Sequence, residues 1–239
     1  ASSTPTRNST TPKRNSPTPS TSAPSSDPPV TPAGPAWRSP RAVIVFLALA
    51  AAALAADLLS KHYVFQAFLS QDGLAETVNE LRAFRQQRDL PPLTPDQVLH
   101  SLAETVAPGV DIRLSTNPGV VFGLPLPPAL VIVVSILAAV LITGYVAFCR
   151  ADAHWLHAAL ALILAGALGN LYDRALVAVS VPGFETPIRR EVRDFIDCSD
   201  WGWPAIFNIA DVFLVLGVVM MLIQAVREAR ASAAAKKNG

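Results

Sequence analysis

Hydrophobic and polar positions along this chain fall into long blocks, not into the short alternations of a soluble domain. A membrane-spanning helix needs about 20 consecutive apolar residues. Four stretches meet that length, at about 42–61, 129–149, 155–172 and 205–226. The first carries no charge before Asp57, the second none at all, and the fourth a single carboxylate, Asp211. The pattern predicts an all-α membrane protein with four transmembrane helices.

Two polar excursions interrupt the blocks. In the first, residues 70–113, Asp72–Arg88 reads as an amphipathic helix with acids early and arginines late, which suits the helix dipole. Pro91-Pro92 breaks it. Thr94-Pro95-Asp96-Gln97 is a capping-box start for a second helix, expected to run to about Val106. Val110–Leu114 alternates like a short strand. The excursion between the first two helices is thus a small β/helical unit. The second excursion, residues 175–203, carries Asp194 and Asp197. Residues 1–40 are rich in Pro, Ser and Thr and are expected to be a disordered tail. Residues 227–239 form a basic tail.

Charge placement orients these helices. Arg38, Arg41, Arg150 and the C-terminal Arg227, Arg230, Lys236 and Lys237 lie on one side with little acid to balance them. The positive-inside rule puts that side, with both termini, in the cytoplasm and both excursions outside. A net charge of +1 implies no nucleic-acid partner. Cys149 and Cys198 fall on opposite sides and should not pair. His154 and His157 stand at i, i+3 without a cluster of further ligands, so no metal site is expected there. Lys61, near the end of the first block, is expected to snorkel outward.

An ionisable group inside an apolar run is costly and by default marks function. Asp211 is such a group, and Asp173 at the end of the third helix lies at a similar depth. Both belong to Asn-x-x-Asp motifs, Asn170–Asp173 and Asn208–Asp211, and Asp57 reaches the same level. Spacing alone pairs Asp173 with Asp211. Asp173 is followed at once by Arg174, which favours a fixed ionised carboxylate. Asp194 lies among Val192, Phe195 and Ile196, in a segment able to dip into the interface, although Arg193 adjoins it. The residues leave both pairings open. Asn117-Pro118-Gly119 is read equally well as a close approach of backbone or as an ordinary turn. Two nearby carboxylates share a proton, so one can activate water while the other polarises a carbonyl. That is aspartic peptide hydrolysis, without cofactor or metal. A small proton-coupled transporter uses intramembrane carboxylates too, and is the alternative.

Five pieces together resemble the lipoprotein signal peptidase (signal peptidase II) family. They are Asp57-Leu58-Leu59-Ser60-Lys61, Asn117-Pro118-Gly119-Val120-Val121-Phe122-Gly123, Gly166-Ala167-Leu168-Gly169-Asn170-Leu171-Tyr172-Asp173-Arg174, Val192-Arg193-Asp194-Phe195-Ile196 and Phe207-Asn208-Ile209-Ala210-Asp211. The resemblance implies a bacterial inner-membrane peptidase with its active site at the outer face. Its substrates would be prolipoproteins whose cysteine carries diacylglycerol, cleaved before that cysteine, and its other partners membrane lipids. It implies Asp194 and Asp211 as the catalytic pair. Asp57, Lys61, Asn117, Gly119, Asn170, Asp173, Arg174 and Asn208 would support and position the substrate. A monomer is expected. Val120-Val121, Ala165 and an additional Ile206 depart from the family pattern.

Overall fold

The computed structural model describes residue 2 and residues 34–121, 124–125 and 127–238. The expected tail therefore lies outside the described residues as far as residue 33, apart from residue 2, as do Phe122 and Gly123. Its last part is not free. Ala36 donates its N–H to the Cys149 carbonyl at 2.7 Å, and Ala151 donates to that of Gly34 at 3.0 Å, forming a bridge between Pro35 and Arg150.

Among the described residues, six α-helices and seven strands follow in the order α1 (Pro40–Leu69), α2 (Leu74–Gln87), α3 (Pro95–Ser101), β1 (Ala103–Ala107), β2 (Val110–Asn117), β3 (Val120–Val121), β4 (Leu124–Pro125), α4 (Pro128–Phe148), α5 (His154–Leu176), β5 (Ala178–Val179), β6 (Ile188–Arg189), β7 (Val192–Asp197) and α6 (Ile209–Asn238). α1, α4, α5 and α6 are long and apolar enough to cross a membrane. Val133, Val140 and Leu141 of α4 are more than half exposed, as lipid-facing side chains should be.

α1 outruns the expected end near residue 61. At 30 residues it is about 45 Å long, well beyond a hydrocarbon core of about 30 Å. The extra turns carry Phe65 and Phe68 into a core outside the bundle, with Val78 of α2, Leu99 of α3, Leu114 of β2 and Phe195 of β7. The expected capping box is present: Thr94 Oγ1 accepts from Gln97 N–H, and Gln97 reaches back to Thr94 N–H. α3 ends at Ser101, short of Val106, because Ala103–Ala107 pairs antiparallel with β2 across a Pro108-Gly109 turn. β7 completes this sheet in the order β1-β2-β7. The small outer unit thus also draws on the excursion between α5 and α6, where the apolar-rich run was not read as a strand.

Inside the bundle α5 packs on α1, α4 and α6. Phe46 and Ala50 of α1, Val146 of α4, and Leu160 and Leu164 of α5 form one cluster. α5 and α6 approach backbone to backbone. A Cβ on Gly166 would lie 2.5 Å from the Ala210 carbonyl oxygen, and one on Gly217 2.7 Å from that of Ala159. Small residues at crossing points allow this in membranes.

Candidate active site

α6 starts at Ile209, later than the apolar block begins, because its first turn is capped by the preceding polar residue. Asn208 Oδ1 accepts from the Asp211 N–H and Asp211 Oδ2 accepts from the Asn208 N–H, each at 3.2 Å. This reciprocal arrangement is a capping box. The two residues therefore meet across the start of α6. Asp57 completes the cap: its Oδ1 accepts from Ala210 N–H at 2.9 Å. To do so its carboxylate crosses α5 at Gly169, where a Cβ would come within 3.0 Å of Asp57 Cγ.

β7 reaches the same point from the sheet. On one side it pairs with β2, Ser115 opposite Asp194 and Asn117 opposite Val192. On the other, Phe207 N–H donates to the Ile196 carbonyl at 3.0 Å, and Ile196 N–H donates to that of Phe207 at 2.8 Å. The residue before the helix cap is thus stitched to the strand that holds Asp194. Asn208 Nδ2 donates to Asp194 Oδ1 at 2.6 Å. Asn170 of α5 Nδ2 donates to Asp211 Oδ1 at 2.9 Å, and its Oδ1 accepts from both Asn208 Nδ2 and Lys61 Nζ. Two asparagine amides therefore connect Asp194 with Asp211, and among the described residues neither carboxylate enters an ion pair. Asp194 is 2% exposed. Burial, and then the nearby Asp211, push its carboxyl up to about 7, against hydrogen bonds from Asn208 and Asn117 and the charge of Lys61.

Asp173 lies elsewhere in the network. Arg193 holds it through the guanidinium at 2.7 and 3.2 Å and through its own N–H at 3.0 Å. Lys61 Nζ approaches it at 3.5 Å while donating to Asp57 Oδ2 at 2.9 Å. Two expectations are thereby corrected. Asp173 is paired with Arg193 and Lys61, not with the Arg174 beside it in sequence. Lys61 does not snorkel outward: it is fully buried, because the bundle supplies two carboxylates for its single charge.

Arg193 was the missing residue. Its adjacency to Asp194 counted against that aspartate, but successive strand side chains point to opposite faces. Arg193 turns toward α1 and α5, lying 5.9 Å over the Phe65 ring, while Asp194 turns toward Asn208. The signal was available in the period-two pattern, had Val192–Asp197 been read as a strand.

Asn117-Pro118-Gly119 is a turn. Asn117 Oδ1 accepts from Gly119 N–H at 2.8 Å, and Gly119 has φ +102°, where a side chain is strained. Arg174 lies alongside, 3.8 Å from where a Gly119 Cβ would stand, and its buried Nε has no acceptor among the described residues. At the other end of the bundle, Cys149 Sγ lies 3.0 Å from His157 Nε2, a proximity that the spacing did not reveal. Both cysteines are free.

The chain matches the family profile described as signal peptidase (SPase) II over residues 49–227. It is 42% identical over 118 residues to a lipoprotein signal peptidase of Rhodopirellula baltica, covering 47% of this chain and 52% of the relative. It is 38% identical over 104 residues to one of Geobacter sulfurreducens, covering 43% and 57%. The chain therefore spans a little over half the length of these two relatives. It is 32% identical to one of Sulfurihydrogenibium over 53% of this chain and 76% of the relative. A solved bacterial membrane enzyme, determined by the in meso method, superposes with a TM-score of 0.45 at 24% identity, covering 65% of this chain and 87% of its own.

Proposed function

The chain belongs to the signal peptidase II family, and on that premise we propose that it is a membrane aspartic endopeptidase acting on diacylglyceryl-modified prolipoproteins. It cleaves before the lipidated cysteine and releases the signal peptide. The observation that carries this reading is the contrast in how the four aspartates are held. Asp57 and Asp173 are bonded to cations, whereas Asp194 accepts from Asn208 and Asp211 from Asn170, and among the described residues neither has an ion-pair partner.

Asp194 and Asp211 hold one proton between them. Asp194, raised to about 7 by burial and by Asp211, exchanges that proton near neutral pH, and in its protonated form donates a hydrogen bond to the scissile carbonyl oxygen. Asp211, at the positive end of α6, is the carboxylate. It takes a proton from water as the water oxygen bonds to the carbonyl carbon. The tetrahedral species then collapses: the C–N bond breaks and that proton passes to the leaving nitrogen. No covalent enzyme intermediate is required. Asn170 and Asn208 fix the two carboxylates. Arg174, with its unused Nε beside the Gly119 turn, is placed to hold a substrate carbonyl.

The basic flanks orient the molecule with both ends in the cytoplasm and the dyad toward the outer face. Cleavage by the purified protein in detergent tests the assignment. A diacylglyceryl-modified prolipoprotein should be cut, and the same protein without its lipid should not. No cut of the modified substrate by well-folded protein sinks the proposal.

A further inference from the structure

A second polar place lies at the opposite end of the bundle, among residues with no part in the dyad. A cavity of about 210 Å³ opens between the first turns of α1 and α5. Arg41, His154 and His157 line its polar side, and Val45, Phe46 and Leu49 its apolar side. Among the described residues no carboxylate lines it. The nearest acid in sequence, Asp152, is held by Arg150 at 3.0 and 2.7 Å. Among the described residues Arg41 has no ion-pair partner.

Depth identifies what meets this cavity. Arg41 is in the first turn of a helix about 45 Å long, at the level of lipid headgroups. Trp37, beneath the Arg38 guanidinium, and Trp155, beneath that of Arg227, mark the same interface. Val45 is 54% exposed and continues the apolar wall onto the lipid-facing surface of α1. The volume is below the roughly 300 Å³ at which pockets for drug-sized ligands begin, so it admits a headgroup while the chains stay in the bilayer. A basic recess between membrane helices, open to lipid, is the arrangement that holds an anionic headgroup.

We propose that the cavity between α1 and α5 binds an anionic phospholipid, its phosphate on Arg41 and His154 and its upper chain along Val45, Phe46 and Leu49. The site is distinct from the dyad and does not depend on the reaction assigned to it.

Native mass spectrometry of the full chain tests this, using phosphatidylglycerol and phosphatidylcholine of the same chains. The wild type should retain phosphatidylglycerol in preference. Arg41→Gln should weaken that retention about fivefold, the effect of one basic residue at a lipid surface, and leave phosphatidylcholine unchanged. Val45→Trp fills the recess without altering charge and should lower retention independently. Millimolar inorganic phosphate should not displace the lipid. Equal retention of the two lipids by the wild type overturns the proposal. So does an undiminished preference in folded Arg41→Gln. Displacement by phosphate would make this an anion site and not a lipid site, and equally overturns it.

Discussion

Two pairs of aspartates meet at one end of the bundle and are held in opposite ways. Asp57 and Asp173 meet Lys61 and Arg193, so that two carboxylates face two cations. Asp194 and Asp211 meet Asn170 and Asn208, whose amides are neutral. A carboxylate locked by a cation is fixed in place, and its value is mechanical. Asp57 caps α6, and Asp173 ties β7 to α5. A carboxylate held only by amides keeps its geometry with no cation bonded to it. The cation-bonded pair places the amide-bonded pair.

The comparison breaks most sharply at the dyad. Asp194→Asn and Asp211→Asn should each lower kcat by at least about 10²–10⁴, the usual worth of general acid–base assistance. The double variant should be hardly worse than either single one, because the two act as a unit. The readout is kcat on a diacylglyceryl-modified prolipoprotein, with melting in detergent as the fold control. If folded Asp194→Asn still turns over and folded Asp173→Asn does not, the roles of the two pairs are exchanged.

Next in size is the cation-bonded pair. Arg193→Gln leaves Asp173 with Lys61 alone, and breaking a buried pair costs about 3–5 kcal/mol. Melting should fall accordingly, and the protein that stays folded should keep some turnover. Arg193→Met with Asp173→Leu should restore more stability than Arg193→Gln retains, since no charge is then stranded. Unchanged melting with turnover abolished would move Arg193 into the chemistry.

Gly169→Ala probes the passage between the pairs. Its Cβ meets the Asp57 carboxylate, and overpacking costs about 1–3 kcal/mol. The cap on α6 should loosen, with a moderate loss of both stability and turnover. A variant melting as the wild type does would show that Asp57 reaches Ala210 by another path.

The proton on Asp194 also sets a pH dependence of stability. The Asp194 carboxyl is raised in the fold from 3.8 to about 7. Its ionisation therefore favours the unfolded chain, and the cost appears as pH rises from about 4 and levels off above about 7. Asp194→Asn lacks this cost. Its melting temperature should match the wild type near pH 4 and exceed it increasingly toward pH 7. A variant less stable at pH 7 than at pH 4, relative to wild type, would contradict a buried, proton-bearing Asp194.

Much was legible in the residues because it depends on local pattern. Four apolar blocks of membrane length have one stable form in lipid, where each backbone polar group needs a partner within its own segment. Thr94–Gln97 announces its helix because a capping box closes within four residues. Asp211 stood out because a lone charge in an apolar run needs an explanation. The pairing of the aspartates was of another kind. Asp173 and Asp211 have equivalent depths and matching motifs, and only the strand register of β7 gives Arg193 to one and Asp194 to the other. That register depends on β2, far away in the chain, and on Phe207, beyond the strand's own end. The burial of Lys61 was likewise decided by packing, as α5 brings Asn170 and Asp173 against α1. Periodicity assigns each residue to a face of its own element. Which charge that face meets depends on packing between elements, and the electrostatics of buried groups depends on that neighbour more than on anything adjacent in sequence.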